Sequence, residues 1–143
     1  MDLMEFHISI FFIIEVIGTV AFASSGAMVA IKQQLDLLGV VVLGVTTAVG
    51  GGMMRDIILG NVPPSLFMNP VYVLTAFITV LVLFIVVRLN QKILESRYIA
   101  AYEKMMNIFD AIGLAAFTVT GIDTAVLAGY EDYHFLSVFL GVL

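Results

Sequence analysis

Between Leu37 and Met54 the chain runs eighteen residues without a charged side chain, and it comes close to doing so three more times. A helix of about 20 mostly apolar residues spans the roughly 30 Å of hydrocarbon in a bilayer. Backbone N–H and C=O groups in that medium have no water to bond, so an apolar stretch of this length must be helical. The first such stretch runs from Ile8 to Ile31 with one charge, Glu15. The third runs from Val71 to Val87, with Asn69 and Pro70 ahead of it as expected N-cap and first helical position. The fourth runs from Met105 to Gly129 and contains Asp110 and Asp123. A fifth begins at Phe135 and reaches Leu143. Charged residues make up 12% of the chain and hydrophobic ones 62%, with a mean hydropathy of +1.12. A soluble domain carries about 25% charged residues, so this chain is read as an integral membrane protein whose first partner is the lipid bilayer.

The connections set the expected topology. Residues 32–36 and 130–134 form tight turns, and 88–104 form the longest polar loop. Residues 55–68 hold Arg55, Asp56 and the helix-stopping pair Pro63-Pro64. Lys32, Arg88, Lys92, Arg97 and Lys104 fall on one side, and Arg55 alone on the other. The positive-inside rule then places the five in the cytoplasm and the N-terminus outside, in a bacterial plasma membrane. Ala21-Phe22-Ala23 has the form of a cleavage site, but no base precedes the apolar run and it continues past that point, so the first span is retained. The net charge of −5 without a basic cluster argues against nucleic acid. The absence of Cys excludes thiol chemistry and Cys-based metal sites.

The first and fourth spans resemble each other. EVIGTVAFASSG at 15–26 aligns with DAIGLAAFTVTG at 110–121, at an offset of 95. Glu15 pairs with Asp110, Gly18 with Gly113, Phe22 with Phe117 and Gly26 with Gly121. Further on, LGV at 43–45 matches LGV at 140–142. Three spans separate the copies, so the second enters from the opposite side, which makes an inverted-topology repeat of the kind recurrent in transporters. The expected fold is an all-α membrane protein built from three-helix units. Residues 1–104 form the first unit with its connecting loop, and 105–143 the start of a second, truncated unit. Nine residues make only about 14 Å of helix, so the chain is expected to be a fragment or a truncated product.

Gly50-Gly51-Gly52 closes the second span. Each Gly costs about 1 kcal/mol relative to Ala inside a helix, so three together predict a break or kink, the device from which transporter midplane sites are made. Close helix packing is the other reading, since small residues let backbones approach. Arg55 and Asp56 either line a vestibule or anchor the helix at the surface. Glu15 lies far enough along its helix to require protein or water around it, and an intramembrane carboxylate is a functional candidate. Asp110, its counterpart, could equally cap the fourth helix, and Asp123 lies nearer the outer end. Gly18, Gly26, Gly113 and Gly121 read as packing positions. The aromatic and Met residues read as lipid-facing or core filler, and His7 and His134 receive no role.

An enzyme is the contrasting class. Asp110 and Asp123 are thirteen residues apart, about 20 Å and roughly 220° around one helix, so they cannot form a protease dyad. No nucleophile elbow, HExxH or nucleotide loop is present. No cofactor and no metal site is expected. A structural membrane subunit is the remaining alternative, against which the repeat and the glycine run favour permeation.

EVIGTVAFASSGAMVA, the D-x-x-G at 36–39 and TTAVGGGMMRDIILGNVPP together resemble the bacterial membrane proteins with a glycine transporter domain, relatives of the trimeric intracellular cation channels. The resemblance covers about Ile14 to Leu143, and GGG-x-x-RD followed by proline is its most specific part. It implies two inverted three-helix repeats plus a final helix, and an hourglass pore inside each subunit of a homotrimer. It also implies that helices 2 and 5 are kinked at glycine motifs, the first of which matches Gly50, Gly51, Gly52, Arg55 and Asp56. The second motif is absent from this sequence. The solute is left open between a monovalent cation, potassium above all, and glycine. Acidic residues outnumber basic ones within the spans, which favours the cation.

Overall fold

The computed structural model describes residues 3–90 and 96–143 and is helical throughout its regular elements. In chain order these are α1 (Leu3–Lys32), α2 (Leu37–Ile58), α3 (Ser65–Met68), α4 (Val71–Leu89), α5 (Ser96–Leu127) and α6 (His134–Val142). Four of them contain stretches long and apolar enough to cross a membrane: Ile8–Lys32, Leu37–Ile58, Val71–Leu89 and Lys104–Leu127.

Several ends differ from the sequence reading. Of the break or kink expected at Gly50–Gly52, the break does not occur, because α2 stays helical through the glycines and ends at Ile58. Leaving buried carbonyls unpaired in hydrocarbon costs several kcal/mol per group, more than the roughly 1 kcal/mol each glycine costs the helix. Arg55 and Asp56 therefore lie in the last turn of α2 rather than in a loop. Pro70, not Asn69, occupies the N-cap of α4. Residues 96–104, expected in a polar loop, are helical, which puts Asp110 inside α5 and removes the capping reading for it. The short α3 in the second connection was not expected. Asp2 and Lys92 lie outside the described residues.

Three helices end on the same device. Leu35, Asn61 and Tyr130 donate their N–H groups back to the carbonyls of Ala30, Asp56 and Ala125. The residue before each, Gln34, Gly60 and Gly129, takes a positive φ of 57°, 77° and 84°. This left-handed cap satisfies terminal carbonyls and suits glycine. Gln34 and Gly129 stand at the same offset of 95 that relates the two sequence copies. At the start of α2, Asp36 accepts a 2.8 Å bond from the Gly39 N–H, a side-chain N-cap.

Helix α1 is the hub, packed against α2, α4 and α5. Lipid tails are as apolar as leucine, so close van der Waals contact between small residues holds such helices together. Ala23, Ala27 and Ala30 of α1 are fully buried against Val40 and Ala48 of α2 and Ala76 and Val80 of α4. A Cβ on Gly26 would lie 3.1 Å from the Gly44 Cα, and one on Gly44 only 2.5 Å from a Val80 methyl. The α5–α6 contact has the same form, since a Cβ on Gly121 would lie 3.2 Å from the Gly141 Cα. Where α1 crosses α5 the contact is reciprocal. A Cβ on Gly18 would meet the Phe117 ring at 3.0 Å, and one on Gly113 the Phe22 ring at 2.9 Å. The span hydroxyls of Thr19, Ser24, Thr47, Thr75, Thr79 and Thr124 donate to carbonyls one turn back, which leaves none of them as a bare polar group in the bilayer.

Candidate functional site

The site gathers where the middle of α1, the end of α2 and the start of α4 meet. Extending α2 past the glycines carries Arg55 and Asp56 inward, where both are buried. An Arg Nη2 of residue 55 sits 3.3 Å from Glu15 Oε1. Tyr72, in the first turn of α4, donates a 2.6 Å hydrogen bond to Glu15 Oε2. Its ring also lies 5.9 Å from that of Phe12. Glu15 thus ties three helices together with one carboxylate. Charge-assisted bonds of this kind are about twice as strong as neutral ones.

Asp56 holds the second connection in place. Its Oδ2 accepts 2.7 Å and 2.6 Å bonds from the N–H and hydroxyl of Ser65, the first residue of α3. Its Oδ1 lies 3.6 Å from Arg55 Nε, beyond hydrogen-bonding length. That Nε is buried and makes no hydrogen bond among the described residues. Two carboxylates therefore face one guanidinium, a formal charge of −1 inside the bundle.

Two cavities adjoin the cluster. The smaller, about 40 Å³, is a vestibule touched by the polar Glu15, Thr19, Arg55, Ser65 and Tyr72 and by apolar residues such as Val49, Met53 and Leu66. At roughly 10–15 Å³ per water it has room for about three. The larger, about 250 Å³, lies between α1, α2, α5 and α6 and is touched by Phe22, Thr47, Gly51, Gly52, Arg55 and Phe117. Phe22 and Phe117 stack beside it with centroids 5.4 Å apart and planes 22° from parallel.

Of the residues singled out from sequence, Glu15, Arg55 and Asp56 come together, and Gly51 and Gly52 line the larger cavity. Among the described residues a Cβ at Gly50 or Gly52 would meet nothing within 4 Å. Asp110 and Asp123 are half-buried on α5 and join no hydrogen bond or ion pair among the described residues. Tyr72 and Ser65 were missed because nothing in their spacing links them to Glu15 or Asp56. The signal available was the need of an intramembrane carboxylate for donors at its own depth. The aromatic reading is also corrected, because Phe22 and Phe117 form a specific stack on opposing glycines.

The model of the glycine transporter family matches residues 12–88. A UPF0126 membrane protein of Deinococcus radiodurans is 36% identical over 116 residues, covering 81% of this chain and 50% of that protein. The UPF0126 inner membrane protein YadS of Escherichia coli K12 is 35% identical over 130 residues, covering 91% of this chain and 58% of its own. The chain thus spans about half the length of the curated relatives it matches. Among solved structures, a TRIC trimeric intracellular cation channel orthologue from Rhodobacter sphaeroides superposes with a TM-score of 0.78 at 31% identity. That match covers 93% of this chain and 63% of the channel.

Proposed function

Since this chain belongs to the glycine transporter family of membrane proteins, and folds like a TRIC cation channel, we propose that it builds a monovalent-cation pathway, with potassium as the ion. The observation that carries this reading is the charge of the buried cluster. Glu15 and Asp56 outnumber Arg55; Glu15 and Arg55 line the smaller cavity, Arg55 alone of the three lines the larger, and Asp56 stands behind Arg55. Inside a bundle, where the effective dielectric is far below that of water, one uncompensated charge favours a counter-ion of opposite sign and repels anions. Arg55 keeps the site from binding a cation so tightly that it cannot leave, which conduction requires.

The inverted repeat belongs to the same proposal. Its support is the matched contacts, namely Gly18 on Phe117 with Gly113 on Phe22, Gly26 on Gly44 with Gly121 on Gly141, and the caps at Gln34 and Gly129, all at an offset of 95 except Gly44 and Gly141, which stand 97 apart. A homotrimer in a bacterial plasma membrane with the N-terminus outside completes the reading. Glycine transport is the second reading. It is favoured by the unpaired Arg55 Nε–H, a donor suited to a carboxylate beside two acids suited to an ammonium.

The test is flux into vesicles reconstituted with the protein. The cation reading expects potassium flux that does not saturate with glycine and needs no coupled gradient. Saturable glycine uptake with counterflow and no potassium flux would replace it with the second reading.

A further inference from the structure

The vestibule and the larger cavity share a wall. Ala48, Gly52, Arg55 and Phe117 touch both. Ala48 and Gly52 have no side chain that can move out of the way. Arg55 is held by Glu15 and buried beside Asp56. Phe117 is the one member of the wall whose side chain is both large and free of polar ties.

Its seat is built for a ring. Gly18 offers no Cβ, which lets Phe117 lie against the α1 backbone, where a methyl would stand 3.0 Å from the ring edge. Phe22 stacks on its other side, and Phe22 in turn rests on Gly113. The seat also has an exit on one side only. A cavity of about 150 Å³ accepts a benzene ring, so the larger space of about 250 Å³ has room for a swung phenyl group. The vestibule of about 40 Å³ does not.

We propose that the Phe117 ring is a gate between the two cavities, closed while it lies on Gly18 and stacked on Phe22, and opened by swinging into the larger cavity. In the closed position an apolar ring stands between the two cavities, and constrictions of this kind block ions by excluding water. The gate rests on the pathway reading above but concerns continuity between the cavities, which can be read without any flux.

The chain has no native cysteine, so a single Thr19→Cys reports on the vestibule it lines. The protein is reconstituted in sealed vesicles and exposed from either side to silver ion, a thiol-reactive cation small enough for a vestibule of about 40 Å³. With Phe117 intact, the thiol should react from the side carrying α3 and not from the side of the 33–36 turn. Adding Phe117→Ala should open reaction from the turn side, severalfold faster than in the parent, while Phe117→Trp keeps it closed. Phe22→Leu removes the stacking partner without emptying the seat and should give a smaller increase. It also serves if Phe117→Ala does not assemble. Unchanged reaction in both Phe117→Ala and Phe22→Leu overturns the gate. Potassium flux on the same vesicles separates the two ideas. Opened labelling without potassium flux leaves the gate standing and removes the cation reading. Potassium flux that is equal in parent and Phe117→Ala, with unchanged labelling, does the reverse.

Discussion

Replacing Glu15 by Gln keeps the size of the side chain and one acceptor for Tyr72, but removes the charge that Arg55 faces. The Tyr72 hydroxyl bond at 2.6 Å falls from a charged to a neutral hydrogen bond, a loss of about 1 kcal/mol. Breaking a fully buried ion pair costs about 3–5 kcal/mol because the surviving charge stays desolvated. Here the Glu15 side chain keeps 20% exposure, and Asp56 remains 3.6 Å from the guanidinium. The pair is therefore assigned about 2 kcal/mol, below the fully buried range. Glu15→Gln should thus destabilise the bundle by about 3 kcal/mol. The assay is reversible unfolding in mixed micelles followed by circular dichroism, with Tyr72→Phe and the double variant completing a cycle. The two changes should couple by about 1 kcal/mol, since they share one hydrogen bond. A Glu15→Gln variant within about 0.5 kcal/mol of the parent, the ordinary surface range, and additive with Tyr72→Phe would refute the argument that this carboxylate joins three helices.

Gly18→Ala and Gly113→Ala should each destabilise by about 1–3 kcal/mol through overpacking against a phenyl ring, measured by the same unfolding assay. Gly52→Ala meets no neighbour within 4 Å, so the variant should assemble normally while its methyl narrows the larger cavity and lowers potassium flux. Asp56→Ala removes both bonds to Ser65 and should speed protease cleavage within residues 60–70, with the α1–α2 packing retained. A cysteine at Gln33 should label only from the cytoplasm and one at Asn61 only from outside. The opposite pattern would invert the proposed orientation.

The spans were legible because eighteen uncharged residues in a row leave the backbone one way to satisfy itself. Where α2 stops was not, since glycine propensity points to Gly50 while the demand for paired carbonyls carries the helix four residues past Met54 to Ile58. That extension is what brings Arg55 to Glu15, forty residues earlier in the chain. The acids of the cluster could be read as candidates from their depth. Tyr72 and Ser65 could not, because each meets its acid only after α3 and α4 fold back over the end of α2. Reading Phe22 and Phe117 as filler missed that their offset equals that of Gly18 and Gly113, so each ring could be matched to a glycine on the facing helix.

The central claim is that a net negative cluster in the bundle passes cations. It is tested most directly by the reversal potential of the reconstituted protein in a planar bilayer under a potassium chloride gradient. The account predicts a reversal close to the potassium equilibrium potential, moving toward zero in Glu15→Gln. A reversal at the chloride potential, or no current from protein that takes up glycine saturably, would contradict it.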